Sequence, residues 1–147
     1  MLDVTVQITI DRPIGVVSAY AADPANAVHW LSSVTSAKWR GAPGTAVGAQ
    51  IAFSGTYGGR HLERTYQVLE YAAGSRLVMR TEEGPFPEET TYTWAPASSG
   101  TLMTLRSRSE PTGLARLLTP LTARTVRRAN LEDLGVLKGV LEGRPVS

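Results

Sequence analysis

The sequence predicts an α+β fold: a curved antiparallel sheet of about seven strands wrapped around one long C-terminal helix, with two short helices between the first and second strands. Three observations carry this. Val4, Val6, Ile8 and Ile10 alternate with Thr5, Gln7 and Thr9, the period-two pattern of a half-buried strand. From residue 34 to 109, strand-length runs are separated by clusters of glycine, proline, alanine and serine. After Glu110-Pro111-Thr112-Gly113 the apolar spacing becomes helical: Leu114, Leu117, Leu118 and Leu121, then Leu134, Leu137 and Leu141.

The elements follow in order. The first strand ends at Asp11 or Arg12, and Pro13 suits the first turn of a helix running to about Tyr20, with Ile14, Val17 and Ala21 on one side. Asp23 is a good N-cap and Pro24 fits the next position, so a second short helix is expected from Pro24 to about Leu31. Val34–Arg40 reads as a strand closed by Gly41-Ala42-Pro43-Gly44. Val47, Ala49, Ile51 and Phe53 alternate as the next strand, and Gly55, Gly58 and Gly59 read as the turn after it. Arg60–Tyr71 is a long strand turned by Ala72-Ala73-Gly74-Ser75. Arg76–Glu82 follows, with Leu77 and Met79 sharing a face, and Pro85 and Pro87 lie in the next hairpin. Glu88–Trp94 and Thr101–Ser109 complete a meander of short connections. One helix is expected from about Leu114 to Glu142. Pro120 predicts a kink or break within it, and Gly143 and Pro145 end it.

At 147 residues one domain, 1–147, is expected, and the core needs no staples. The apolar fraction of 42% fits a globular chain. The absence of cysteine excludes a disulfide framework, thiolate metal sites and a cysteine nucleophile. His29 and His61 both read as solvated and are too far apart to pair on a metal, so neither a metal nor another cofactor is expected. No apolar run reaches a membrane span, and the first residues lack a basic leader, so a cytoplasmic protein is expected. The net charge is +2. Six arginines (106, 108, 116, 124, 127 and 128) stand against the one acid Glu110 in that stretch, while Glu82, Glu83, Glu88 and Glu89 cluster elsewhere. This is the pattern of a solvated basic helix face and an acidic hairpin. No aromatic RNA-binding motif accompanies the arginines, so no nucleic-acid partner is expected. Gly55-Thr56-Tyr57-Gly58-Gly59 lacks the Lys-Ser/Thr end of a phosphate loop, and no Gly-x-Ser-x-Gly elbow exists.

A long amphipathic helix after a meander buries its apolar stripe on the sheet. A curved sheet cannot touch a straight helix everywhere, so a concave space between them is expected. With the opening ITIDRPIGVVSAYAADPANAVHW, Val47-Gly48, Tyr66-Gln67-Val68-Leu69-Glu70-Tyr71, Gly100-Thr101-Leu102-Met103-Thr104-Leu105 and the final LEDLGVLKGVLEG, the chain resembles the polyketide cyclase/dehydrase and lipid-transport superfamily over nearly its whole length. That resemblance implies a helix-grip (START-like) fold and an apolar cavity for a lipid, polyketide or similar molecule. Fold membership does not choose between carrier, sensor and enzyme.

Parity names the candidate lining. If Val68 faces inward, so do Arg64 and Tyr66, and the same reasoning turns Met79, Tyr92, Trp94, Met103 and Leu105 inward. Trp30, Phe53 and, from the long helix, Leu117, Leu121 and Leu134 complete the set. Met and aromatic side chains suit an adaptable pocket wall. Arg64 is the sharpest candidate, because an inward cation must be paired. It can hold a carboxylate, phenolate or enolate of a ligand, or pair with Glu63, Glu70 or another acid. Cyclase-like chemistry would use Arg64, Tyr66 and Tyr92, with tyrosine as proton donor and arginine stabilising an enolate. The leading expectation is a carrier or sensor of a small apolar molecule. The alternatives are a polyketide aromatase/cyclase-type enzyme and a protein-interaction module using the basic helix. A monomer or weak homodimer is expected.

Overall fold

The computed structural model describes residues 1–57, 59–83, 87–110 and 119–143. The order is β1 (Leu2–Ile10), α1 (Ile14–Ala22), a 3-10 helix (Pro24–His29), β2 (Val34–Arg40), β3 (Gln50–Tyr57), β4 (Arg60–Ala72), β5 (Arg76–Thr81), β6 (Glu88–Ala97), β7 (Gly100–Ser109) and α2 (Thr119–Leu141). All seven strands form one antiparallel sheet in the order β1-β7-β6-β5-β4-β3-β2. Register shifts at Val34/Ser36 and Val68/Glu70 mark bulges that bend the two strands, which helps the sheet curve.

One face of the sheet carries the core. Val4, Val6 and Ile10 of β1, Met103 and Leu105 of β7, and Tyr92 and Trp94 of β6 are buried together. Leu134, Leu137 and Leu141 of α2 join them in one cluster. Burying each such side chain contributes about 1.5–3 kcal/mol before entropy is counted. α2 lies along β1, the edge strand, and blunts that edge with polar contacts. Arg127 Nη1 donates to the Thr5 carbonyl at 3.1 Å and Lys138 Nζ to the Thr9 carbonyl at 2.6 Å. At its other end, Arg12 Nη1 donates to the Leu141 carbonyl at 3.0 Å, so a cation meets the negative end of the helix.

Several expectations change in detail. Pro13 is the N-cap of α1 rather than its first residue, with an extended backbone at ψ 149°. The second short helix is 3-10. It begins as expected, Asp23 Oδ1 accepting from the Ala25 N–H at 3.0 Å with Pro24 next. β3 starts at Gln50 rather than Val47, and Val47 is exposed. Gly48 takes φ +90°, and an extended run cannot pass through that conformation. Gly55 belongs to β3, not to a turn. A Cβ there would stand 2.0 Å from the Ser33 carbonyl oxygen, so β2 and β3 approach this closely only over a glycine. Gly58, Pro85, Leu114, Leu117, Leu118 and Pro145 lie outside the described residues. Pro120 stands in the first turn of α2 as described, so the expected kink falls at the edge of the described residues.

Candidate functional site

The inner face of β3–β6 is apolar except at one place. Strand pairing sets Phe53 opposite Arg64, Ile51 opposite Tyr66 and Val68 opposite Met79, so Arg64, Tyr66 and Val68 share the inner face. Arg64 is only 5% exposed. Its Nη1 lies 3.5 Å from Oε2 of Glu88, and its guanidinium carbon stands 5.5 Å from the Tyr66 ring centre. The Tyr66 hydroxyl donates to Glu88 Oε1 at 3.1 Å, and Thr90 Oγ1 donates to the same oxygen at 3.4 Å. One carboxylate thus gathers a guanidinium, a phenol and an alcohol. Glu88 is the residue that sequence reasoning misses. Its neighbours place it among the acids of a solvated hairpin, yet Glu88, Thr90, Tyr92 and Trp94 share one parity on β6, which is the signal that finds it.

An aromatic series continues from this cluster. Phe53 meets Tyr66 edge-on at 5.4 Å, Tyr92 meets Trp94 at 6.2 Å, and Trp30 meets Tyr92 at 5.7 Å. Trp30 and Trp94 are 2% and 4% exposed, and the indole N–H of each is buried without a hydrogen-bond partner among the described residues. Such donors are rare in a finished core, because each forfeits its hydration.

The remaining candidates divide. Met79, Met103, Leu105 and Leu134 are buried in the core with these aromatics. Leu117 lies outside the described residues. Leu121 does not line the inside: it is 62% exposed. About 3.6 helical turns separate it from Leu134, which puts the two on nearly opposite sides of α2. One inner gap is lined by Ala21, Ala22 and Ala27 of the short helices and by Phe53, Met79 and Tyr92 of the sheet, among others, and measures about 10 Å³. That is near the minimum for one water. Below the short helices, therefore, the expected space is a closed wall. Asp133 of α2 is buried, and its Oδ1 accepts from the Ser32 N–H at 3.2 Å, tying α2 to the loop before β2. Burial raises its carboxyl above the usual range, with the Ser32 hydrogen bonds opposing. His29 and His61 are exposed. Among the described residues no three histidine or carboxylate side chains gather as metal ligands, and no helix is long and apolar enough to cross a membrane.

The sequence matches the family model for polyketide cyclase / dehydrase and lipid transport over residues 1–142. The chain belongs to this family. Solved structures share the fold: TTHA0849 from Thermus thermophilus superposes with a TM-score of 0.80 at 20% identity, over 96% of this chain and 97% of that one. CV1439 from Chromobacterium violaceum gives 0.71 at 18% identity, over 97% and 99%. BexL, a di-domain ARO/CYC from the BE-7585A biosynthetic pathway, gives 0.77 at 20% identity, over 97% of this chain and 47% of its own. Identities this low establish a shared fold. No curated protein matches the chain.

Proposed function

We propose that this polyketide cyclase/dehydrase and lipid-transport family member binds a small apolar molecule bearing a carbonyl, enol or similar oxygen against the inner face of the sheet, as a carrier or sensor. The observation that carries this reading is the Arg64–Glu88–Tyr66 cluster set in an otherwise apolar face. A buried ion pair is often no more stabilising than the apolar residues that could replace it. Its presence therefore fits a use other than stability. A ligand oxygen would accept from Arg64 or Tyr66, and the apolar body would have to displace the short helices from Phe53, Met79 and Tyr92, which close over about 10 Å³ in the free protein. The two indole N–H groups of Trp30 and Trp94 would serve a second acceptor on the same molecule.

The Tyr66–Glu88 hydrogen bond favours a second reading, an aromatase/cyclase-type enzyme. A phenol that donates to a carboxylate can give its proton to a ligand oxygen as Glu88 takes one from the ligand's α-carbon, and that proton then returns to the phenolate along the same hydrogen bond, with Arg64 facing the negative charge that develops. One experiment separates the two: native mass spectrometry of the protein purified from its own host, followed by assay of a synthetic poly-ketone. Retention of an apolar molecule without turnover supports the carrier. Turnover that disappears in Tyr66→Phe supports the enzyme. A protein that neither carries such a molecule nor takes up a neutral aromatic-ketone probe overturns both.

A further inference from the structure

The opposite face of the sheet carries a second concavity that the inner site does not use. Its volume is about 510 Å³, within the range of small-molecule sites. It is lined by Thr5 of β1, Thr91 and Thr93 of β6 and Thr104 of β7. Pairing makes these neighbours: Thr93 is opposite Thr104, and Arg106 lies between Thr5 and Thr91. The short hydroxyl side chains leave room that three long cations enclose: Arg76 from β5, Arg106 from β7 and Arg127 from α2.

Each guanidinium is held by a partner along one edge. Arg106 donates from Nε and Nη2 to Asp3 Oδ1 and Oδ2 at 2.9 and 2.6 Å. Arg76 donates from Nε to Glu70 at 2.8 Å, and Arg127 from Nη1 to the Thr5 carbonyl at 3.1 Å. A guanidinium has five N–H donors, so each is oriented and still has donors to give. Asp3 is the one acid of the lining, against three arginines. Asp3 and Glu70 pair with Arg106 and Arg76, so one positive charge is left over, and the free guanidinium N–H groups stand beside threonine hydroxyls that can donate as well as accept. A carboxylate offers two acceptor oxygens to these converging donors, whereas a terminal phosphoryl group offers three.

We infer that this outer concavity is a binding site for a phosphoryl group, separate from the inner face. The group belongs either to a soluble phosphate monoester or to the phosphomonoester headgroup of a lipid such as phosphatidic acid. The two sources share one chemistry and are told apart by the test. Backbone amide resonances would be followed by NMR during titration with inorganic phosphate, with sodium chloride at matched ionic strength as control. Saturable shifts centred on Thr5, Thr91, Thr93 and Thr104 are expected, and the double variant Arg76→Gln/Arg127→Gln weakens them by about tenfold or more. Thr93→Val, which keeps the strand's shape, weakens them less. In parallel, sedimentation with phosphatidylcholine vesicles with and without phosphatidic acid identifies the source. Retention on the phosphatidic acid vesicles assigns a lipid headgroup, and response to soluble phosphate alone assigns a free ester. Absence of both responses, or shifts equal in the folded double variant, overturns the site.

Discussion

The hydroxyl of Tyr66 and the carboxylate of Glu88 meet at 3.1 Å although they sit on strands that are not neighbours in the sheet. β5 runs between them, and it contributes Met79, opposite Val68 on one side and Thr90 on the other. The polar link crosses β5 where that strand carries Thr81, which is opposite Glu88 and buried. Long side chains reach across such a face because the sheet curves toward them.

Removing one member of this cluster should be worse than removing both charged members. Glu88→Ala leaves Arg64 buried without its carboxylate and is expected to lower unfolding free energy by about 1–3 kcal/mol. Arg64→Met combined with Glu88→Leu is expected to recover most of that loss. Urea unfolding of the wild type, both single variants and the pair measures the coupling.

Trp30→Phe removes a buried donor that has no partner among the described residues. The stability of the free protein should change by less than about 1 kcal/mol, since no hydrogen bond is lost while some packing volume is. Affinity for a neutral aromatic-ketone probe should fall. Unchanged affinity, measured by fluorescence titration, would remove the indole from the proposed recognition.

Asp133 gives a pH dependence of definite sign. Burial raises its carboxyl in the folded state, so the folded protein binds this proton more readily than the unfolded chain. Its unfavourable contribution is complete above the folded pKa and fades as pH falls toward the unfolded value. Asp133→Asn, which keeps an oxygen for the Ser32 N–H, should therefore be more stable than wild type at neutral pH. The difference should close toward about pH 4. Denaturant midpoints of both proteins across that range test it.

Gly55→Ala should be among the most damaging small substitutions. Its Cβ would meet the Ser33 carbonyl oxygen at 2.0 Å, where that oxygen already accepts from Thr56 at 2.9 Å. β2 and β3 must part, at about 1–3 kcal/mol or more. Leu137→Ala, at a fully buried position, should cost about 2–5 kcal/mol, while Leu121→Ser should fall within about 0.5 kcal/mol. Thermal unfolding ranks all three.

Much of this molecule is written in local patterns, and the exceptions have physical causes. Strand parity is sufficient to turn Arg64 and Tyr66 inward, because the side-chain period is two and one buried Val68 sets the phase. The bulge after Val68 comes too late to disturb them. Glu88 is hidden by its neighbours: a run of acids reads as solvated until the pairing with β5 and β7 shows which one faces in. Gly55 resembles a turn residue because the approach that demands a glycine comes from Ser33, far away in sequence. Leu121 looks like part of the helical stripe when spacing is read from the nearer leucines. Arg106 and Arg127 are visible as part of a charge run, but their convergence with Arg76 on a threonine surface depends on strand order.

The sheet order also has a temporal meaning. β2 to β7 pair with sequence neighbours through short connections, so this meander can zip together hairpin by hairpin. β1 cannot. Leu2 waits for Ser109 and Ile10 for Thr101. During synthesis an alternating, β-branched strand stays unpaired until β7, which ends at Ser109, has been made. Contacts of such long sequence separation are slow to close, and an unpaired apolar edge invites association with other chains. The same β1–β7 ladder that completes the sheet is thus the step at which a newborn chain is most exposed to aggregation.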